Sequence, residues 1–160
     1  SDAPTLWNAA NHSYWNLDGS ADFSGHSLQI DADHILPLTD DFVPTGALAA
    51  VAGGPYDFRA PRALAPRAPD LDTNFCLARS AGKMREVLTL RGASGVTLRL
   101  ATTEAGVQVY DCRHDGYRGL ALEAQGWPDA PNHAGFPSIA LAAGASCVQS
   151  TSWQFSKGQS

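Results

Sequence analysis

Ten prolines and fifteen glycines are spread along the 160 residues. Proline removes a backbone donor and glycine loosens the chain, so long helices have little room. No stretch sustains a helical period between caps. What remains are short runs in which apolar and polar residues alternate. They are "SLQIDAD" (27–33), "EVLTL" (86–90), "VTLRLATTE" (96–104), "VQVYDC" (107–112), "GLALEAQ" (119–125), "SIALAAG" (138–144) and "CVQSTSWQFS" (147–156). A period of two marks a strand with one buried face. Turn-forming stretches such as "RGASG", "EAG" and "HDGYRG" separate several of the runs. The expected fold class is all-β, an antiparallel sandwich or barrel. Residues 53–70, "GGPYDFRAPRALAPRAPD", read as a structured connection between sheet regions or as a plain linker.

Hydrophobic residues make up 44% and charged residues 17% of the chain. That balance supports a packed core and argues against disorder. A net charge of −5 with no basic run excludes nucleic acid as an expected partner, because phosphate neutralisation needs clustered Lys and Arg. No apolar run approaches the roughly 18 residues of a membrane span. Cys76, Cys112 and Cys147 are odd in number and lack metal-ligand spacing. They are expected to be reduced, small buried hydrophobes in a cytoplasmic protein. His34, His114 and His133 show no HxH or HExxH pattern, so no metal site is expected.

Four runs carry candidate chemistry. In "VQVYDC", Val107 and Val109 share one face while Gln108 and Tyr110 share the other. In "GLALEAQ", Leu120 and Leu122 oppose Ala121, Glu123 and Gln125. The linking "RHDGYR" is short enough for a hairpin. Pairing Cys112 with Gly119 would set Gln108 directly across from Glu123, and a one-residue slip would abolish this. A carboxylate beside an amide suits general-base work on a hydroxyl, although a solvated surface Glu fits the spacing as well. Within "NHSYWNL" (11–17), His12 can give or take a proton near neutral pH. Asn11, Tyr14, Trp15 and Asn16 around it can hydrogen-bond or stack on a sugar ring, and a structural role for His12 is the alternative. In "LDTNF" (71–75), Asp72 and Asn74 suit either a turn or the gripping of ligand hydroxyls.

The order of these motifs resembles the aldose 1-epimerase, or galactose mutarotase, family. "NHSYWNLDG" is similar to its histidine motif, and "HILPLTDDFVPTGALAAVAGGPYDFRAPRAL" to its middle segment. "LDTNFCL" is similar to its Asp-His-Asn-Phe motif, and "TTEAGVQVYDC" to its glutamine-bearing strand. "GLALEAQGWPDAPNHAGFPSIAL" resembles its glutamate motif, and "STSWQFS" its closing strand.

The resemblance implies a large antiparallel β-sandwich with a concave sugar-binding face. It implies interconversion of the α and β anomers of a hexose such as galactose or glucose. Glu123 matches the general base at the C1 hydroxyl and His12 the acid at the ring oxygen. Asp72 and Gln108 match residues that hold sugar hydroxyls, with Asn11 beside them. No cofactor is implied.

Two departures stand out. Thr73 occupies the place of a common family histidine, and a tuned contact is expected there. The chain also corresponds only to the C-terminal portion of one such domain, 1–160, and lacks the half that carries another site histidine and an arginine. Half of a sandwich should leave open edges and need its N-terminal half or self-association. Two other readings are a non-catalytic carbohydrate-binding module and a hexose-phosphate relative, the latter needing Arg59, Arg62 or Arg67 near the pocket.

Overall fold

The computed structural model describes residues 1–158. Its strands, in chain order, are β1 (Thr5–Leu6), β2 (Tyr14–Trp15), β3 (Ser27–Ile30), β4 (His34–Ile35), β5 (Ala49–Ala50), β6 (Arg62–Ala63), β7 (Asp72–Cys76), β8 (Arg85–Arg91), β9 (Val96–Thr102), β10 (Gly106–Tyr110), β11 (Leu120–Gln125), β12 (Ala140–Leu141) and β13 (Thr151–Lys157). One sheet has six strands in the order β2-β11-β10-β7-β4-β5. A second has five, β13-β9-β8-β3-β6, and β1 pairs with β12 in a small ribbon. Every pairing is antiparallel.

Alternation decides which residues meet between the sheets. The six-stranded sheet contributes Phe75, Val107, Val109, Leu120 and Leu122. The five-stranded sheet contributes Leu28, Ile30, Leu88, Leu90, Leu98 and Leu100. All eleven are 2% exposed or less. Each such side chain contributes roughly 1.5–3 kcal/mol through removal from water, against the entropy of ordering it. The chain thus supplies strands to both layers of a sandwich.

A second cluster lies outside this core. Cys76 is two residues from Asn74 along β7, so the two share the outer face of the six-stranded sheet. Leu36, Ala105, Trp127, Ala130 and Phe136 gather around Cys76 and cap one end of that face. The Trp127 indole donates to the Ala105 carbonyl at 2.9 Å, and its ring meets Phe136 edge-on at 5.1 Å. Gly106 sits beneath. A Cβ there would lie 2.7 Å from Asn74 Oδ1 and 3.0 Å from Trp127 Cδ1, so space rather than backbone freedom demands the glycine.

The two sheets end on a common side at β2 and β13. Trp15 packs against Trp153 and Phe155, with ring centroids 6.4 and 5.4 Å apart. β13 is terminal in its sheet, and Phe155 remains 50% exposed. Behind β2, buried His26 accepts the Leu17 backbone N–H at Nε2 (2.9 Å), while its Nδ1 lies 3.0 Å from the Phe23 carbonyl. That bond anchors the segment just after β2.

Several sequence expectations shift. "LDTNF" is not a turn: from Asp72 onward it forms β7, in the interior of the six-stranded sheet. "SIALAAG" shrinks to the two residues of β12, and the last run begins as a strand only at Thr151. Residues 53–70 form a connection that includes β6. Cys76 and Cys112 are buried as expected, whereas Cys147 is exposed. No described helix is long and apolar enough to cross a membrane.

Candidate active site

The hairpin of β10 and β11 has the register anticipated from sequence: Gln108 pairs with Glu123, and Tyr110 with Ala121. On the other side, β7 sets Asn74 against Gln108 and Asp72 against Tyr110. β2 adds Tyr14 against Ala121. Because directly paired residues share a face, Glu123, Gln108 and Asn74 form one row on the outer face. Tyr14, Ala121, Tyr110 and Asp72 form the next, about 7 Å along the strands.

His12, two residues before β2, reaches over this face. Its Nε2 lies 3.5 Å from Glu123 Oε1, which joins residues 111 positions apart in sequence. His12 is about half exposed and Glu123 nearly enclosed. Gln108 Nε2 donates to Asp72 Oδ1 at 2.8 Å. The His12 ring leans on Tyr14 at 5.1 Å and meets Tyr110 edge-on at 6.5 Å. Four of the five sequence-selected site residues therefore converge: His12, Asp72, Gln108 and Glu123. Asn11 sits beside them, but its Oδ1 accepts the Ser13 backbone N–H at 3.0 Å and so shapes the turn that presents His12.

Burial raises the carboxyl of Glu123 above the ordinary glutamate range. The nearby His12 opposes this shift and the Asp72 charge adds to it. A carboxylate made more basic in this way is a better proton acceptor near neutral pH. Asn74 is 2% exposed, and its Oδ1 has no partner. It lies at the β7 end of the row and is not open to solvent. No cluster of three or more His, Cys, Asp or Glu among the described residues could hold a metal ion.

Other expectations resolve differently. Trp15 points into the sandwich, as its contacts with Trp153 and Phe155 require. Asn16 donates to the carbonyls of Ser20 and Arg118, so it braces a loop and takes no part in the site. Thr73 pairs with Val109 on the inter-sheet face and is buried, so it makes no contact on the outer face. Arg59 is held by Asp57 and Asp33, Arg62 lies over Phe58, and Arg67 donates to Tyr117. All three are engaged elsewhere. Tyr110 was the site neighbour that sequence reasoning left unused. Its shared parity with Gln108 was the available signal.

The aldose 1-epimerase family profile matches residues 1–154. The chain belongs to the aldose 1-epimerase family. It is 36% identical to the galactose mutarotase of Homo sapiens over 93% of this chain and 49% of that protein. It is 32% identical to the aldose 1-epimerase of Escherichia coli (strain K12) over 85% of this chain and 46% of that protein. Among solved structures, a GalM/aldose epimerase homologue from C. elegans superposes with a TM-score of 0.87 at 30% identity, covering 99% of this chain and 54% of that one. The galactose 1-epimerase from Lactobacillus acidophilus gives a TM-score of 0.76 at 26% identity, over 99% of this chain and 51% of that one. The chain spans about half the length of the curated relatives it matches. Those relatives are named as isomerases of sugars, and the all-β sandwich found here is the fold of the family.

Proposed function

We propose that this chain carries the acid–base centre of an aldose 1-epimerase that interconverts the α and β anomers of a free hexose such as galactose or glucose. The observation that supports this most is the 3.5 Å approach of His12 to Glu123 on the face that also bears the Asp72–Gln108 pair. Glu123 takes the proton from the C1 hydroxyl while protonated His12 gives one to the ring oxygen. The C1–O5 bond breaks, its electrons stay on O5, and C1 becomes an aldehyde. Rotation about C1–C2 turns the other carbonyl face toward O5. Reclosure returns the O5 proton to His12 and the Glu123 proton to O1. Asp72 and Gln108, joined to each other, offer an acceptor and donors to the remaining hydroxyls. The protons are exchanged within the chain's own residues, so no cofactor is required.

Polarimetry of freshly dissolved α-D-glucose or α-D-galactose tests the proposal. The chain should speed relaxation above buffer, and Glu123→Gln should slow it by roughly 10²- to 10⁴-fold. A folded chain that binds hexose without accelerating relaxation would leave a carbohydrate-binding role instead. The chain spans half the length of its relatives, and among the described residues β13 is an edge strand with Phe155 exposed on it. Both fit a neighbour that adds a strand there. That neighbour is the unmatched half of the family domain or a second copy. Adding the unmatched half of a relative in trans should raise the rate.

A further inference from the structure

The segment that carries His12 is tied to β11 by side chains rather than by a continuous backbone ladder. β2 pairs with β11 at Trp15–Leu120 and Tyr14–Ala121. Continuing that antiparallel register by two residues sets His12 opposite Glu123. Strand pairing nevertheless stops at Tyr14, and residues 7–13 have no regular structure. Farther along, Asn8 makes the next tie. Its Oδ1 accepts the Gly126 N–H at 2.8 Å, and its Nδ2 donates to the Gly126 carbonyl at 3.2 Å. Between these two ties stands Gln149, two residues before β13. Its Nε2 donates to the Ala9 carbonyl at 3.0 Å and to the Ala124 carbonyl at 2.8 Å. Ala9 lies three residues before His12, and Ala124 directly follows Glu123.

We infer that Gln149 is a positioning residue for the proposed acid–base pair: its amide bridges the two backbones and sets how far His12 stands from Glu123. The inference rests on the proposed role of that pair and extends it. Both amide hydrogens are used on these two carbonyls, so one NH₂ group spans a gap where ladder bonds are missing. Packing does little to fix the gap. Two cavities, of about 120 and 200 Å³, both have Ala9 and Gln149 in their walls. A segment beside voids takes its place from its hydrogen bonds. His12 is about half exposed, so its ring follows its backbone more than a surrounding pocket. The chemistry is sensitive to such placement, since a shift of about 1 Å in a reacting group can cost about 10²-fold in rate. Gln149 bonds to backbone carbonyls and not to His12 or Glu123, so it acts on the pair through the chain.

The test follows the Glu123 carboxyl by carboxyl carbon NMR in the wild-type chain, His12→Asn, Gln149→Met and the double variant. Methionine keeps the length of glutamine and removes its N–H donors. His12 opposes the upward shift of Glu123, so a variant that moves His12 away should raise the pH at which Glu123 ionises. Gln149→Met should give most of the rise that His12→Asn gives, and nothing further in the His12→Asn background. A folded Gln149→Met with the wild-type titration would reduce Gln149 to a structural brace and overturn the inference. An equal further rise in the double variant would mark an effect that bypasses His12, and would overturn it too. No rise in His12→Asn would refute the pair itself, and the positioning role with it. Should Gln149→Met fail to fold, amide exchange in the wild-type chain decides. Both Gln149 side-chain protons should exchange about 10-fold more slowly than those of exposed Gln154, and fast exchange of either would overturn the bridge.

Discussion

Asp111 offers a quantitative test of how the outer face is held together. It is 1% exposed and directly follows the strand that carries Gln108 and Tyr110. Its Oδ2 accepts the buried Leu71 N–H at 3.0 Å, immediately before Asp72. Its Oδ1 accepts the Arg113 backbone N–H at 3.2 Å and Nε–H at 3.0 Å. Asp111→Ala leaves a buried backbone donor unpaired, which costs about 1–3 kcal/mol. It also deletes a charge-assisted contact to Arg113. That side chain is 24% exposed, so water screens the loss to about 1 kcal/mol. The expected total is about 3 kcal/mol, a large part of the 5–15 kcal/mol typical of a domain. With a urea slope near 2 kcal/mol/M, the unfolding midpoint should fall by about 1.5 M. Tryptophan fluorescence, with four tryptophans in the chain, reports the transition. Asp111→Asn keeps an acceptor for Leu71 and should lose less. Asp115→Ala, at an exposed pair 3.9 Å from Arg118, should change stability by under about 0.5 kcal/mol. A midpoint shift below about 0.3 M for Asp111→Ala would refute the assignment of Asp111 as the tie between β7 and β10.

Three further outcomes follow from the same geometry. His12 opposes the upward shift of Glu123, so His12→Asn should raise the Glu123 carboxyl further. The pH at which Glu123 ionises, followed by carboxyl carbon NMR, should move up, and an unchanged or lower value would count against the pair. Because Glu123 is raised in the folded state, the folded chain holds its proton more tightly than the unfolded chain. Its contribution favours folding most at low pH and is lost as pH climbs from the ordinary glutamate value through the raised one. Glu123→Gln should therefore gain stability relative to wild type across that rise in denaturation midpoints, and a gap that narrows with pH would be wrong. Finally, Leu100→Ala in the inter-sheet core should cost about 2–5 kcal/mol in urea unfolding, whereas Val148→Ala, at an 83% exposed position, should stay within about 0.5 kcal/mol.

How much of this was legible in the sequence depends on how local the cause is. Alternation in β10 and β11 fixed which residues face the core, and the short hairpin fixed the Gln108–Glu123 pairing. β7 was obscure because "LDTNF" places polar residues on both faces. Thr73 looks toward the sandwich while Asp72 and Asn74 do not, and no periodicity separates such a strand from a turn. Asn16 looked like a ligand contact because nothing in a sequence reveals which carbonyl an amide will find. The run at 138–144 alternates well, yet only two of its residues gain a partner strand. The meeting of His12 with Glu123 depends on β2 pairing with β11, two strands that are neighbours in the sheet but far apart along the chain. Only the family resemblance suggested it, and the folded geometry agrees.

The interleaving of Asp72, Thr73 and Asn74 has a consequence for protein engineering. On β7, β10 and β11, neighbouring residues answer to different demands. One set meets whatever lies on the outer face, and the intervening set meets the opposite sheet. A specificity transplant from a relative should therefore copy alternate positions, leaving the recipient's intervening residues in place. Grafting whole segments would import a foreign packing surface along with the desired contacts, and the resulting hybrids would fail by misfolding before their selectivity could be read.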